Sequence, residues 1–145
     1  MTAVRPGGAS PADAGAPRIL LAEDDREMRV LLAEQLRHDG YEVVECCDGQ
    51  GLVAHLSALF LPGAEPEEFD LVISNIRMPA FSGLEVLDGL HGRAGCPPVI
   101  LITAFGDEQT HERARRLGAV ATFDKPFRIP DLLAVVRQTV APAEG

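Results

Sequence analysis

Phe69-Asp70-Leu71-Val72-Ile73-Ser74-Asn75-Ile76-Arg77-Met78-Pro79 is the stretch on which the reading of this chain turns. Its first half is a short apolar run; its second half breaks into polar residues and a proline. A run of this length with no polar alternation reads as a strand buried on both faces, the condition of strands inside a parallel sheet. Asn75 then stands at the end of that strand. Two further runs have the same form. Arg18 to Ala22 precedes it and stops at Glu23-Asp24-Asp25. Val99-Ile100-Leu101-Ile102-Thr103 follows it and turns polar only at Thr103.

Helical patterns separate these strands. From Arg26 to about His38, Met28, Leu31, Leu32, Gln35 and Leu36 keep helical spacing, with Asp25 as the cap and Gly40 as the stop. Tyr41 to Cys46 reads as a second strand. Asp48 caps a helix striped by Leu52, Leu56, Leu59 and Phe60, and Leu61 to Glu68 is a polar, proline-broken loop. Ser82-Gly83-Leu84-Glu85 has capping-box spacing and opens a helix carrying Val86, Leu87 and Leu90. Asp107 caps a polar helix that ends before Gly118. Ala119 to Phe123 is a short fifth strand, and Pro130 suits the first turn of a last helix faced by Leu132, Leu133, Val136 and Val140. Five strand–helix units in alternation predict an α/β fold, a doubly wound parallel sheet with helices on both faces. In such sheets ligands bind beyond the carboxyl ends of the strands. That rule selects Glu23, Asp24, Asn75, Thr103 and Lys125, the last just past strand five.

Size and composition narrow the function. The 145 residues suit one domain, expected over residues 18–140, after a disordered leader at 1–17 rich in Pro, Gly and Ala and before a short tail at 141–145. A net charge of −9 argues against direct nucleic-acid binding, which needs a basic footprint. No apolar run approaches the roughly 18 residues of a membrane span, and no signal pattern opens the chain, so a cytoplasmic location without membrane insertion is expected. The three cysteines, Cys46, Cys47 and Cys96, form no C-x-x-C pair and are expected to be reduced, largely packed thiols.

Taken singly, the strand-end residues have ordinary readings as well as functional ones. Glu23 and Asp24 offer two hard oxygen donors suited to Mg²⁺, or they form a solvated acidic turn. Lys125, held between Asp124 and Pro126, is a pocket cation or a surface charge. Thr103 offers a hydroxyl to an anion or caps its own turn. Their joint appearance at the ends of strands one, three, four and five carries more weight than any one of them.

Together these residues resemble the receiver domain of two-component response regulators. The matching text is Ile19-Leu20-Leu21-Ala22-Glu23-Asp24-Asp25, the opening stretch running on to Ser82-Gly83-Leu84-Glu85, Val99 to Ala104, and Lys125-Pro126-Phe127; it spans about Arg18 to Val140. The resemblance implies a five-stranded sheet of order 2-1-3-4-5. It implies Mg²⁺ held by Glu23, Asp24, the residue at position 75 and the backbone carbonyl of Arg77. Thr103 and Lys125 would bind phosphoryl oxygens, and a histidine kinase or phosphotransfer protein would be the phosphoryl donor. The Lys125-Pro126 bond would be cis. The helix from Asp107 to Leu117, strand five and the last helix would form the face that meets a downstream protein, with Arg113, Arg115 and Arg116 as a basic patch.

Two residues depart from the family pattern. The phospho-accepting aspartate is replaced by Asn75, whose amide oxygen is a poor nucleophile because the nitrogen lone pair is delocalised into the carbonyl. The loss of one carboxylate also weakens the expected Mg²⁺ site. Three residues before Lys125, where the family carries an aromatic switch residue, stands Thr122. Phe123 is out of register by one and points to the other face of the strand. The expected function is therefore a receiver module that is no enzyme, does not accept a phosphoryl group and acts by binding protein. The same text also fits a conventional receiver carrying an Asp-to-Asn replacement. A small-ligand or phosphotransfer module on the same architecture is a third reading, against which stands the absence of G-x-G-x-x-G after strand one and of a P-loop motif.

Overall fold

A computed structural model describes residues 15–65, 67–104 and 106–142. Among these residues five parallel strands alternate with five helices: β1 (Arg18–Ala22), α1 (Arg26–His38), β2 (Glu42–Cys46), α2 (Gly49–His55), β3 (Leu71–Asn75), α3 (Gly83–Leu90), β4 (Val99–Thr103), α4 (Glu108–Arg116), β5 (Ala121–Asp124) and α5 (Ile129–Thr139). The strand order is β2-β1-β3-β4-β5, as expected, and every neighbouring pair is parallel. β3 lies at the centre, and all five of its residues are buried.

Alternation within each strand divides the core into two layers. Ile19, Leu21, Leu71, Ile73, Ile100 and Ile102 face α1 and α5, where Leu32, Leu36, Leu132 and Val136 meet them. Leu20, Ala22, Val72, Val99 and Leu101 face the other way, onto Leu52 of α2, Val86, Leu87 and Leu90 of α3, and Ala114 of α4. Both faces of the sheet are thus covered, which is why β1, β3 and β4 read as unbroken apolar runs.

Helix starts follow local chemistry. Asp25 accepts from the Glu27 and Met28 amides, Asp48 from Gly51 and Asp107 from Thr110, and Ser82 and Glu85 form a reciprocal capping box. Gly40 takes φ 101°, the left-handed conformation that ends α1.

Several expectations shift. Leu31 and Gln35 are exposed, so the inner stripe of α1 is Met28, Leu32, Ala33 and Leu36. The second helix stops at His55 and passes into a 3₁₀ turn at Ser57–Leu59, which still carries Leu59 and Phe60 against the core. β2 begins at Glu42 rather than Tyr41, and β3 at Leu71, past Phe69 and Asp70 of the opening stretch. β5 begins at Ala121 rather than Ala119, because the Ala119 amide is spent closing α4 on the Ala114 carbonyl. It gains Asp124, because the Lys125 amide continues the ladder onto Thr103 O at 2.7 Å. Val140 leaves the last helix and caps it; its carbonyl accepts from the Tyr41 hydroxyl. Pro17, expected in the leader, is buried, and its carbonyl accepts from the Glu42 amide at 2.9 Å. Residues 1–14 and 143–145 lie outside the described residues. Cys46 is half-buried, and burial pushes its thiol up to about 12. Cys47 is exposed, contrary to the expectation of packed thiols.

Candidate functional site

The carboxyl ends of β1, β3 and β4 and the turn after β5 converge on one crevice. β1 delivers Glu23, which is fully buried. Its Oε2 accepts from the Asp25 amide at 3.1 Å, and its Oε1 lies 2.8 Å from Lys125 Nζ. Burial pushes the Glu23 carboxyl above the ordinary carboxylate range, while the ammonium and the Asp25 amide pull it back. Arg29 of α1 donates to the Glu23 carbonyl at 2.9 Å and so braces the turn from beneath. Nothing in the spacing of the sequence pointed to that contact.

β3 delivers Asn75, 6% exposed. Its Nδ2 donates to Asp24 Oδ1 at 3.1 Å and to the Arg77 carbonyl at 2.7 Å. Its Oδ1 is buried and receives no hydrogen bond among the described residues. Glu23 Oε1 receives no well-aligned hydrogen bond either; its neighbour is the Lys125 ammonium. Ser74, not picked out from the sequence, is buried beside Asn75 and donates to the Asn75 carbonyl at 2.9 Å. The loop after β3 is tightly fixed. Ala80 takes φ 74°, and the Phe81 amide donates to Pro79 O at 3.0 Å across it, a three-residue turn. Gly83 sits so close to β3 that a Cβ there would lie 2.6 Å from Asn75 O. A Cβ on Gly49 would collide with the Phe81 backbone.

β4 delivers Thr103, 2% exposed, whose carbonyl takes the Lys125 amide. The Lys125-Pro126 bond is cis. Next to Lys125, Asp124 accepts from His111 Nε2 at 2.9 Å through both carboxylate oxygens, tying the start of α4 to the end of β5. This pair was not legible beforehand, although the position of Asp124 beside Lys125 offered a hint.

Not all expected residues gather here. Thr122 lies outside the crevice, in a shallow groove between α4 and β5 that is also lined by His111, Glu112, Arg115 and Val120. Phe123 packs on the opposite layer, tilted against Phe127 with ring centroids 5.7 Å apart. The three arginines of α4 are not a free basic patch. Glu112 accepts from Arg115 at 2.6 Å and from Arg116 at 3.1 Å, and Arg113 faces Asp88 at 4.0 Å.

A Mg²⁺ ion requires oxygen ligands at about 2.0–2.1 Å in near-octahedral array. The space between Asp24 Oδ1 and Arg77 O is instead spanned by the Asn75 amide nitrogen, and Glu23 faces a lysine. Among the described residues no three His, Cys, Asp or Glu side chains are grouped to hold a metal. As arranged, these residues do not fit the ion; a cation entering here must first turn the amide over.

Comparison with known proteins agrees with the fold. A family model described as the response regulator receiver domain matches residues 19–137. The transcriptional regulatory protein PdtaR of Mycobacterium tuberculosis is 39% identical over 137 residues, which cover 93% of this chain and 62% of that protein. This chain therefore spans less than two thirds of that relative. Among solved structures, the response regulator TrrA of Thermotoga maritima, in complex with Mg²⁺ and BeF, superposes with a TM-score of 0.71 at 27% identity, covering 86% of this chain and 99% of that one. The chemotaxis regulator CheY4 of Vibrio cholerae has a TM-score of 0.73 at 22% identity over 86% of this chain and 99% of that one, which shows the fold alone. No helix among the described residues is long and apolar enough to cross a membrane.

Proposed function

Since the chain belongs to the response regulator receiver domain family and is a module of two-component signalling, we propose that it works without accepting a phosphoryl group and signals by binding protein. Asn75 stands at the acceptor position. The observation that carries the reading is its amide, buried at the end of the central strand between the acidic turn and the Arg77 carbonyl, with Lys125 drawn to Glu23. Acyl phosphate formation needs a carboxylate oxygen to attack phosphorus; an amide oxygen has neither the charge nor the free lone-pair density to do so. On this reading the module is a binding protein and not an enzyme.

Thr122 in place of an aromatic ring supports the same reading. A pocket that never receives a phosphoryl group has no need of a ring that turns inward to report it. The partner is a histidine kinase, a phosphotransfer protein or a downstream protein, met through α4, β5 and α5 in the cytoplasm. Affinity for Mg²⁺ is weakened below any response of the folded chain, because the ion would have to displace an internal hydrogen-bond donor.

The test is incubation of the purified chain with acetyl phosphate and Mg²⁺, followed by intact-mass measurement. The wild-type chain is expected to gain no phosphoryl mass, and Asn75→Asp is expected to gain one. A phosphoryl adduct on wild-type chain, mapped to residue 75, overturns the reading.

A further inference from the structure

We propose that the Asn75 carboxamide serves as an internal stand-in for a divalent cation, its NH₂ group bridging Asp24 Oδ1 and Arg77 O so that the crevice closes without metal. The proposal rests on the reading of Asn75 as occupant of the acceptor position and deepens it. Two acceptors on different elements, the acidic turn after β1 and the loop after β3, converge on one terminal atom of Asn75, at 3.1 and 2.7 Å. Only nitrogen satisfies both; an oxygen there would face two oxygens with no proton between them. The amide has two N–H bonds, and the two acceptors use them both. Asn75 is buried, so water does not compete freely for these protons.

The contrast with a carboxylate defines what the amide does. Aspartate at this position would set three acceptors against one another with no donor, an arrangement that a cation would have to hold together. The amide supplies partial positive charge from within the chain, at the cost of leaving its own Oδ1 without a hydrogen bond. The crevice is thereby fixed in one geometry whatever the metal concentration.

The experiment is thermal unfolding of the full chain, followed by circular dichroism, in EDTA and in excess MgCl₂. The wild-type midpoint is expected to be the same in both. The midpoint of Asn75→Asp is expected to be lower than wild type in EDTA and to rise by at least about 5 °C at a hundredfold excess of Mg²⁺ over its Kd. Asn75→Ala removes the donor without adding charge; its midpoint is expected to fall, and Mg²⁺ is expected not to restore it. A wild-type midpoint that climbs with Mg²⁺ as the aspartate variant does overturns the proposal. So does an aspartate variant blind to Mg²⁺, because the oxygens would then be no cation cradle, and so does an alanine variant as stable as wild type. Should the aspartate variant fail to fold in EDTA, its recovery on adding Mg²⁺ gives the same information and the wild-type comparison stands by itself. The two readings fail separately: phosphoryl mass on the wild-type chain sinks the functional reading, whereas a wild-type response to Mg²⁺ sinks the bridge.

Discussion

Ala80 is the one non-glycine among the described residues with positive φ, at 74°. An L-residue there crowds its Cβ against the backbone, a strain of about 1–2 kcal/mol. Glycine would relieve it but would lose about 0.5–1 kcal/mol through the freer unfolded chain. Ala80→Gly is therefore expected to leave stability unchanged or raise it by at most about 1.5 kcal/mol in urea unfolding. The same exchange at Ala114, helical in the last turn of α4 and fully buried, should lower it; equal losses at both sites would remove the case for strain at Ala80. The residue scale also shows what a sequence hides. Asn75 could be picked out because an apolar run ends there. Its partner Asp24 lies 51 positions away, and no local pattern says which terminal atom of an amide meets which acceptor. The pairing of Lys125 with Glu23 is hidden for the same reason.

At the scale of elements, capping was readable because it is local. Asp25, Asp48, Asp107 and the Ser82–Glu85 box each act within three residues. Strand identity was readable because burial on both faces leaves a continuous apolar run. The edges were not. β5 gained Asp124 through a hydrogen bond to Thr103 of a neighbouring strand, and Leu31 fell outside the inner stripe of α1 because the width of that stripe depends on what packs against it. Gly83 gives the sharpest element-scale prediction. In an open helix Gly→Ala stabilises by up to about 1 kcal/mol. Here the added methyl would lie 2.6 Å from the Asn75 carbonyl and 3.0 Å from Ser74 Oγ, so α3 must back away from β3. Gly83→Ala is expected to destabilise by about 1–3 kcal/mol in urea unfolding. A stabilised variant would show that the contact between α3 and β3 is looser than described.

For the whole molecule, Tyr41 is an internal gauge, since it is the single tyrosine and the chain has no tryptophan. Its ring is 4% exposed, and its hydroxyl donates to Val140 beyond α5. Burial raises its pKa from 10.0 to about 12, the charge of Asp39 adds to the rise, and Arg137 opposes it. The unfolded chain loses this proton first, near pH 10. Between pH 10 and 12 the native state thus binds more protons than the unfolded one, and stability falls as pH rises. About 2 kcal/mol is lost by pH 12, with little effect from this group below pH 10. Tyrosinate absorbance is expected to appear late and to rise together with the loss of helical circular dichroism. A smooth titration centred near pH 10 in the folded chain would show that the ring is open to solvent. Overall architecture was the most legible scale of all, because alternating strand and helix patterns leave few topologies, whereas the division of labour between the two core layers emerged only from the register of the strands.

Gly49 and Gly83 place the starts of α2 and α3 against the backbone on either side of the loop that carries Arg77. Neither contact has slack, since even a methyl group would not fit. The loop is in effect a gear set between two shafts: its backbone bears on the start of α2 at Phe81, and its root bears on the start of α3 at Asn75. A bulge of this backbone at either point would therefore press on the neighbouring helix start before it reached solvent.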